Sequence, residues 1–320
     1  MPSLDIVIVN WNTGHQLFDC LSSILTTDRS GFHLNNIVII DNASTDTSML
    51  GIKYIDLPLK IRTNSFNRGF GAACNQGALE SNADYILFLN PDTSLFENSL
   101  CRPIEFMQED NSAKVGICGI QLVDSNSEVS HTCTYFPTFT ALAVKALGLN
   151  ALLPHALSMR LPKIYMTDWD YSYNRQVDQV IGAFFLIRRD LFERLEGFDE
   201  RFFVYFEEVD LSFRALKQGW TSYYLSDVRA FHRGNGSSEQ VKAHRLFYSL
   251  RSRIKYGYKH FNYFSATSLA LISLTLEPWS RISLVIAKRS YAEIPNIIFA
   301  YYMLFKDLIQ RSLKALKITH

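Results

Sequence analysis

An α/β sheet of Rossmann type, followed by a helical and basic C-terminal extension, is the architecture the sequence predicts. Two observations carry the sheet. Short runs of aliphatic residues alternate with stretches of helical spacing, and most of these runs stop at a cluster of polar residues. A drift of charge along the chain carries the extension. The formal net charge of the 320 residues is only +1, yet residues 233–320 hold fourteen Lys/Arg against four Asp/Glu. The remainder is therefore acidic, and the basic end suits an anionic partner, either membrane lipid or nucleic acid. With 48% hydrophobic and 20% charged residues, there is ample material for a packed core of enzyme size.

The first strand is expected at residues 4–9, ending in Asn10-Trp11-Asn12. Residues 16–25 then repeat Leu17, Cys20, Leu21, Ile24 and Leu25 with helical spacing, completing a β-α unit. A second strand at residues 37–40 runs into Asp41-Asn42-Ala43-Ser44-Thr45-Asp46, again at a strand's carboxyl end. Open α/β sheets bind their ligands along that edge. After a weak strand near residues 60–62 comes Asn67-Arg68-Gly69-Phe70-Gly71. Its glycines permit a tight turn and close backbone approach, and the small residues after them open a helix whose amides can face an anion. The spacing is not G-x-G-x-x-G, so the dinucleotide signal is weak.

Tyr85-Ile86-Leu87-Phe88-Leu89 is too short for a helix and suits a strand buried on both faces. Pro91 lacks the N–H that would continue the ladder, which leaves Asp92 just beyond the strand's end. Asn90-Pro91-Asp92 is also ordinary turn chemistry. Further strands are expected at residues 115–120, 180–187 and 222–225, with a short helix at 188–195 stopped by Gly197. Residues 121–176, with Pro137, Pro154, Pro162 and many aromatics, show no clear period and read as a binding loop or lid.

Two groups of residues suggest chemistry. Glu207, Glu208 and Asp210 follow the aromatic run at residues 202–206 and open a helix whose apolar face is Val209, Phe213 and Leu216. The helix macrodipole alone accounts for acids there. The aromatic flank equally suits desolvation, which raises a carboxylate's pKa toward that of a useful base. His232 precedes Arg233-Gly234-Asn235-Gly236-Ser237-Ser238, a glycine-rich, cationic loop. It reads as a hydrogen-bonded structural residue or as a ligand, and an oxygen-and-imidazole pair of Asp92 and His232 would suit Mg or Mn. Five scattered cysteines, odd in number and without a C-x-x-C pair, argue against a zinc site or disulfide framework and fit a reducing compartment. The first five residues carry no signal-peptide pattern.

In this order, Val7-Ile8-Val9-Asn10-Trp11-Asn12, the Asp41 to Asp46 cluster, Asn67-Arg68-Gly69-Phe70-Gly71, Leu89-Asn90-Pro91-Asp92 and Phe203-Val204-Tyr205-Phe206-Glu207-Glu208-Val209-Asp210-Leu211 resemble the inverting nucleotide-sugar glycosyltransferases of family 2, nearest the bacterial rhamnosyltransferase type. The resemblance covers residues 4–240 and implies the GT-A fold, a Rossmann-like mixed sheet flanked by helices. It implies a hexosyltransferase that takes a sugar, rhamnose from dTDP-rhamnose, to a hydroxyl of a glycan or lipid-linked glycan in cell-surface polysaccharide synthesis. Asp41 looks like the carboxylate that binds the donor's pyrimidine base, with Asn10 and Asn67 in the same pocket. Asn12, Gly69 and Asn90 fall within the matching motifs and are assigned to the donor site with them. Asp92 looks like the last acid of the family's D-x-D metal motif, binding a divalent ion on the diphosphate. His232 looks like the metal-side histidine of some members. Glu208 falls where the family usually has the Asp of a Glu-Asp pair, so the base is Glu208 or Glu207. A UDP-hexose or UDP-N-acetylhexosamine donor is the alternative within the family, and a non-catalytic GT-A-like binding protein is the alternative outside it.

The resemblance divides the chain into a catalytic domain, residues 1–240, and an extension, 241–320. In the extension, Arg251, Arg253, Lys255 and Lys259 precede an apolar stretch at 261–276, slightly short for a transmembrane helix and closed by Glu277-Pro278. Residues 297–316 mix aromatic, aliphatic and basic residues as an interfacial helix would. The expectation is a cytoplasmic protein held peripherally on the anionic inner face of the membrane, beside its acceptor. Packing on the catalytic domain, or self-association into a homo-oligomer, is the other reading of the extension. No nucleic-acid-binding motif accompanies the basic residues.

Overall fold

The computed structural model describes residues 1–234 and 241–318. Asn235, Gly236, Ser237 and Ser238, in the loop that follows His232, lie outside the described residues. The chain forms two compact units. The first comprises Met1–Phe136, Tyr165–Phe203 and Glu207–Ser237, the second Pro137–Ile164, Val204–Phe206 and Ser238–His320.

The first unit is built on a nine-stranded sheet: β1 (Ser3–Asn10), β2 (His33–Asp41), β3 (Leu59–Thr63), β4 (Tyr85–Leu89), β5 (Thr93–Leu95), β6 (Val115–Val123), β7 (Arg175–Val177), β8 (Phe184–Arg188) and β9 (Thr221–His232). The strands lie in the order β3-β2-β1-β4-β8-β6-β9-β5, with β7 paired to β9. The first four in this order are parallel, β8 runs antiparallel to β4 and β6, and β6 and β9 are parallel again. The sheet is therefore mixed. Strand β9 bulges after Leu225, so its first part pairs with β7 and its last part with β5.

Period-two alternation divides the core into two layers. From β1, Ile6 and Ile8 pack on one face with helix α1 (Gln16–Leu25) and helix α3 (Cys101–Gln108). Val7 and Val9 pack on the other with α2 (Phe70–Ala78), α7 (Arg189–Arg194) and α8 (Glu207–Lys217). Because both faces are covered, β4 is buried along its whole length, as its unbroken apolar run requires. Phe88 of β4 meets Phe198 edge-on at 5.0 Å and Phe192 at 5.1 Å. Those rings anchor the segment that leads toward the acids of α8.

The second unit is helical: α4 (Phe139–Ala146), the single turns α5 (Leu149–Leu152) and α6 (His155–Ser158), then α9 (Lys242–His260), α10 (Tyr263–Thr275), α11 (Glu277–Ala287) and α12 (Ile294–Ile318). Its core joins Phe247, Leu250 and Ile254 of α9 to Ala270 of α10 and to Ile297, Ala300, Tyr301 and Leu304 of α12. Pro278 does not merely end the apolar stretch before it. It sits in the first turn of α11, where its missing N–H costs no bond. The expected loop at 121–176 is instead the end of β6, helices α4 to α6 and strand β7, and the strand expected from residue 180 starts at Phe184.

Candidate active site

The site residues expected from sequence all lie in the first unit, and the structure gathers them into three groups. The first stands where β1 and β2 end side by side, Asn10 being the register partner of Asp41. Asn10 is wholly buried, and its Nδ2 donates to Asp41 Oδ1 at 3.0 Å, Ser44 Oγ at 3.0 Å and Ser48 Oγ at 2.8 Å. Its Oδ1 accepts from Thr13 at 2.5 Å. Asn10 thus holds the Asp41 carboxylate from behind. Asp41 Oδ2 receives no hydrogen bond among the described residues, which leaves it able to accept one from a ligand. Asn12, at a φ of 52°, accepts from the Thr45 amide at 2.7 Å and ties the two loops together.

Asn42, which the sequence reading did not single out, organises the neighbouring loop. Its Nδ2 donates to Asn67 Oδ1 at 2.9 Å and to the Gly69 carbonyl at 3.1 Å. Its Oδ1 accepts from the Arg68 amide at 3.0 Å and from Asn64 Nδ2 at 3.1 Å. An amide side chain buried this deeply needs such partners, and the repeated Asn/Ser/Asp cluster at a strand end was the available signal.

The second group is Asp92 and His232. Asn90 leaves β4 with its amide bonded to the Ala183 carbonyl at 3.0 Å, and its own carbonyl accepts from Thr93 at 3.1 Å, closing the turn over Pro91. Thr93 then pairs with His232 across β5 and β9. This sets His232 Nε2 3.3 Å from Asp92 Oδ1, with both side chains about nine-tenths buried. One carboxylate oxygen and one imidazole nitrogen at that separation fit adjacent positions on a single divalent ion, whose neighbouring ligands stand about 3 Å apart. Among the described residues no third His, Cys, Asp or Glu joins them. An ion there would complete its shell with water and substrate oxygens.

The third group faces the amino end of α2. Gly69 has a φ of 89°, and a Cβ on it would collide with the Phe203 carbonyl, which accepts from the Phe70 amide at 2.7 Å. A Cβ on Gly71 would stand 3.6 Å from that of Glu207. The glycines therefore allow the loop at residues 67–71 to lie directly against the acid-bearing segment. Asn75 of α2 adds a two-way clamp, donating to the Phe198 carbonyl and accepting from its amide, both at 2.8 Å.

Three acids open α8, and Asp210 is set apart from the two before it. Asp210 is fully buried and accepts from Arg214 Nε at 2.8 Å, while the same guanidinium donates to the carbonyls of Leu195 and Gly197. It is structural. Glu207 is buried at 3% exposure against Gly71, and its Oε2 is sealed from solvent as that of Glu208 is. Glu208 is partly exposed as a residue, but its Oε2 is sealed from solvent and has no hydrogen-bond partner among the described residues. Burial pushes the Glu208 carboxyl up, against a smaller opposing pull from the backbone amides of Glu208 and Val209. The chain reaches this pair through Tyr205 and Phe206, at φ of 68° and 73°, a region unfavourable to aromatic residues and typical of functional sites. Within the helical unit, that short segment is held by Ser252, which donates to the Val204 carbonyl at 2.9 Å.

A mixed α/β sheet with its polar residues gathered at the strand ends defines the class, and solved structures agree. A mannosyltransferase from Pyrobaculum calidifontis in complex with GDP-Man and Mn2+ superposes with a TM-score of 0.57 at 14% identity, over 96% of this chain and 88% of that one. Residues 1–349 of S. aureus TarS, in complex with UDP-GlcNAc, give a TM-score of 0.54 at 16% identity, over 93% and 79%. The fold is that of GT-A glycosyltransferases. Residues 5–196 match the model of glycosyl transferase family 2, and the chain belongs to that family. Its relatives include an N-acetylglucosaminyl-diphospho-decaprenol L-rhamnosyltransferase of Mycobacterium tuberculosis, 25% identical over 76% of this chain and 80% of that protein. The rhamnosyltransferase WbbL of Escherichia coli is 28% identical over 54% and 61%. These relatives put the chain in the rhamnosyltransferase-like branch of the family.

Proposed function

We propose that this glycosyltransferase is an inverting, metal-assisted enzyme that moves rhamnose from dTDP-rhamnose to a hydroxyl of a glycan or lipid-linked glycan acceptor. The observation that carries the inverting chemistry is the Glu208 carboxylate, desolvated and with one oxygen unengaged, at the head of α8 beside the donor loop. A carboxylate in that state is a stronger base than one in water and can take the proton of an acceptor hydroxyl. The freed oxygen attacks the anomeric carbon as the bond to the diphosphate breaks, and the electron pair of that bond leaves with the nucleoside diphosphate. One displacement inverts the anomeric centre, and no covalent intermediate is required.

At the other end, Asp41 Oδ2 accepts the N–H of the pyrimidine base while Asn10 and Ser44 hold the carboxylate still. Asn12, Asn67, Gly69 and Asn90 form the surrounding loops. Asp92 and His232 would hold a Mg or Mn ion, which when bound neutralises charge on the departing diphosphate. The names of the mycobacterial and E. coli relatives support rhamnose as the transferred sugar, that of the mycobacterial one supports a lipid-linked acceptor, and our reading is that the reaction runs at the inner face of the cytoplasmic membrane. The test is product analysis with a panel of dTDP- and UDP-sugars and either ion. Transfer from dTDP-rhamnose with inverted anomeric configuration is expected; retention of configuration would overturn the single displacement, and preference for a UDP-sugar would overturn the donor.

A further inference from the structure

We propose that the helical unit docks in the plane of an anionic lipid bilayer through an outward apolar face on α10, α11 and α12, without crossing it. The proposal gives a surface to the membrane location in the proposed function, and its observations stand apart from the catalytic site.

A surface helix of a globular protein is ordinarily polar on its outer side. Helix α12 is not. While Ile297, Ala300, Tyr301 and Leu304 bury inward, Ile298, Tyr302, Phe305 and Ile309 recur every three or four positions on the outside, each 44–60% exposed. Trp279 of α11 and Phe264 of α10 are 71% and 80% exposed. Aromatic residues with an amphipathic ring are the ones that settle at the level of lipid headgroups.

Charge selects the occupant. The helical unit carries sixteen Lys/Arg against four Asp/Glu. Its three described acids are all held in ion pairs: Glu277 with Arg253 and Arg281, Glu293 with Lys242, and Asp307 with Arg251 and Arg311. Lys288, Arg289 and Lys306 are exposed and have no acidic partner among the described residues. The same unit of a second copy, set face to face, would bring the same positive surface, with none of its described acids left unpaired, whereas anionic headgroups answer it directly.

The same pairs explain why the face lies on the membrane. Among the described residues no single helix is long and apolar enough to cross, and the α10–α11 pair that would suffice together is bent by 46°. Glu277 stands at the bend with no exposed surface, bonded to both arginines. Straightening the pair into a span would break that cluster and carry its charges into hydrocarbon.

Flotation of the full chain with phosphatidylglycerol-containing vesicles, and with pure phosphatidylcholine vesicles, tests the proposal. Binding to the anionic vesicles alone is expected, weakening as salt rises, with a blue shift of fluorescence that W279F lacks. The double variant K288E/R289E should lose at least about tenfold in vesicle affinity, and Phe305→Ser a comparable amount. Each substitution is on the surface, so the melting temperature and the hydrolysis of donor by water stay as in the parent. Failed donor hydrolysis with intact vesicle binding would count against the enzymatic reading and leave the docking face standing. Equal binding to both vesicles, no binding, or a vesicle-free dimer that Phe305→Ser dissolves would each overturn the docking face.

Discussion

The Asp41 end of the candidate site, to which we assign the nucleotide, and the acid end are built on opposite principles. At that end the side chains of Asn10 and Asn42 each reach four hydrogen-bonding partners, so that Asp41 has one oxygen engaged and one able to accept. At the acid end, Glu208 keeps an oxygen buried without a donor. Saturated hydrogen bonding gives fixed geometry, and withheld hydrogen bonding gives reactivity, because an unsatisfied buried carboxylate gains from acquiring a proton. In the proposed mechanism binding and proton transfer fall to two ends that meet where Gly69 lies against Phe203.

The sharpest way to break this contrast is Glu208→Gln. It keeps the shape and removes the base, and kcat should fall by about 10²–10⁴-fold with donor affinity nearly unchanged; full turnover would move the base to Glu207 or elsewhere. Next in size is Asp92→Ala, expected to lower metal-dependent donor affinity by about 10- to 100-fold. Calorimetry with and without EDTA reads it, since wild-type binding that is indifferent to chelation would remove the metal role from Asp92 and His232. At the nucleotide end, Asn42→Asp preserves volume but turns two donated bonds into repulsion against Asn67 Oδ1 and the Gly69 carbonyl. The expected loss is about tenfold in donor KM, with kcat little changed. A loss confined to kcat would mean that Asn42 acts on the acid end instead.

The same contrast separates what the sequence made legible from what it did not. Strands such as Tyr85–Leu89 show themselves because burial on both faces demands an unbroken apolar run. The strand Thr93–Leu95 does not, being three residues long and existing only through its pairing with Ala230 to His232. Helix α9 was hidden behind its basic residues, although Ala243, Phe247, Leu250, Ile254 and Gly257 form a readable buried stripe. Residues 121–176 read as a loop because their prolines and aromatics break any period, yet part of that stretch supplies helices of the second unit. Of the candidate site, motif order and residue type singled out Asp41, Asp92, Glu208 and His232 as candidates, and the structure brings Asp92 and His232 together. Asn42 escaped because its role lies in bonds to residues 22 to 27 positions away, which no local pattern reveals. Nor could the three acids of α8 be ranked by spacing, since only Arg214 distinguishes the structural Asp210 from its neighbours.

The smallest effect is the most direct reading of the Glu208 environment. A carboxyl whose pKa is raised on folding binds more protons in the native state than in the unfolded one, so stability falls as pH rises from the unfolded pKa through the folded one. Its contribution is complete only below the unfolded value, near 4.3. Glu208→Gln carries no charge to desolvate and should melt higher than the parent at neutral pH. The gap should close as pH drops below about 4.3, where both chains are neutral at that position. The acid limb of the parent's kcat profile should lie above the same value, because the base must first lose its proton. Thermal melts of the two proteins across that range decide the matter: a constant difference would mean that Glu208 is solvated like an ordinary surface acid, and the contrast between the two ends of the site would then rest on geometry alone.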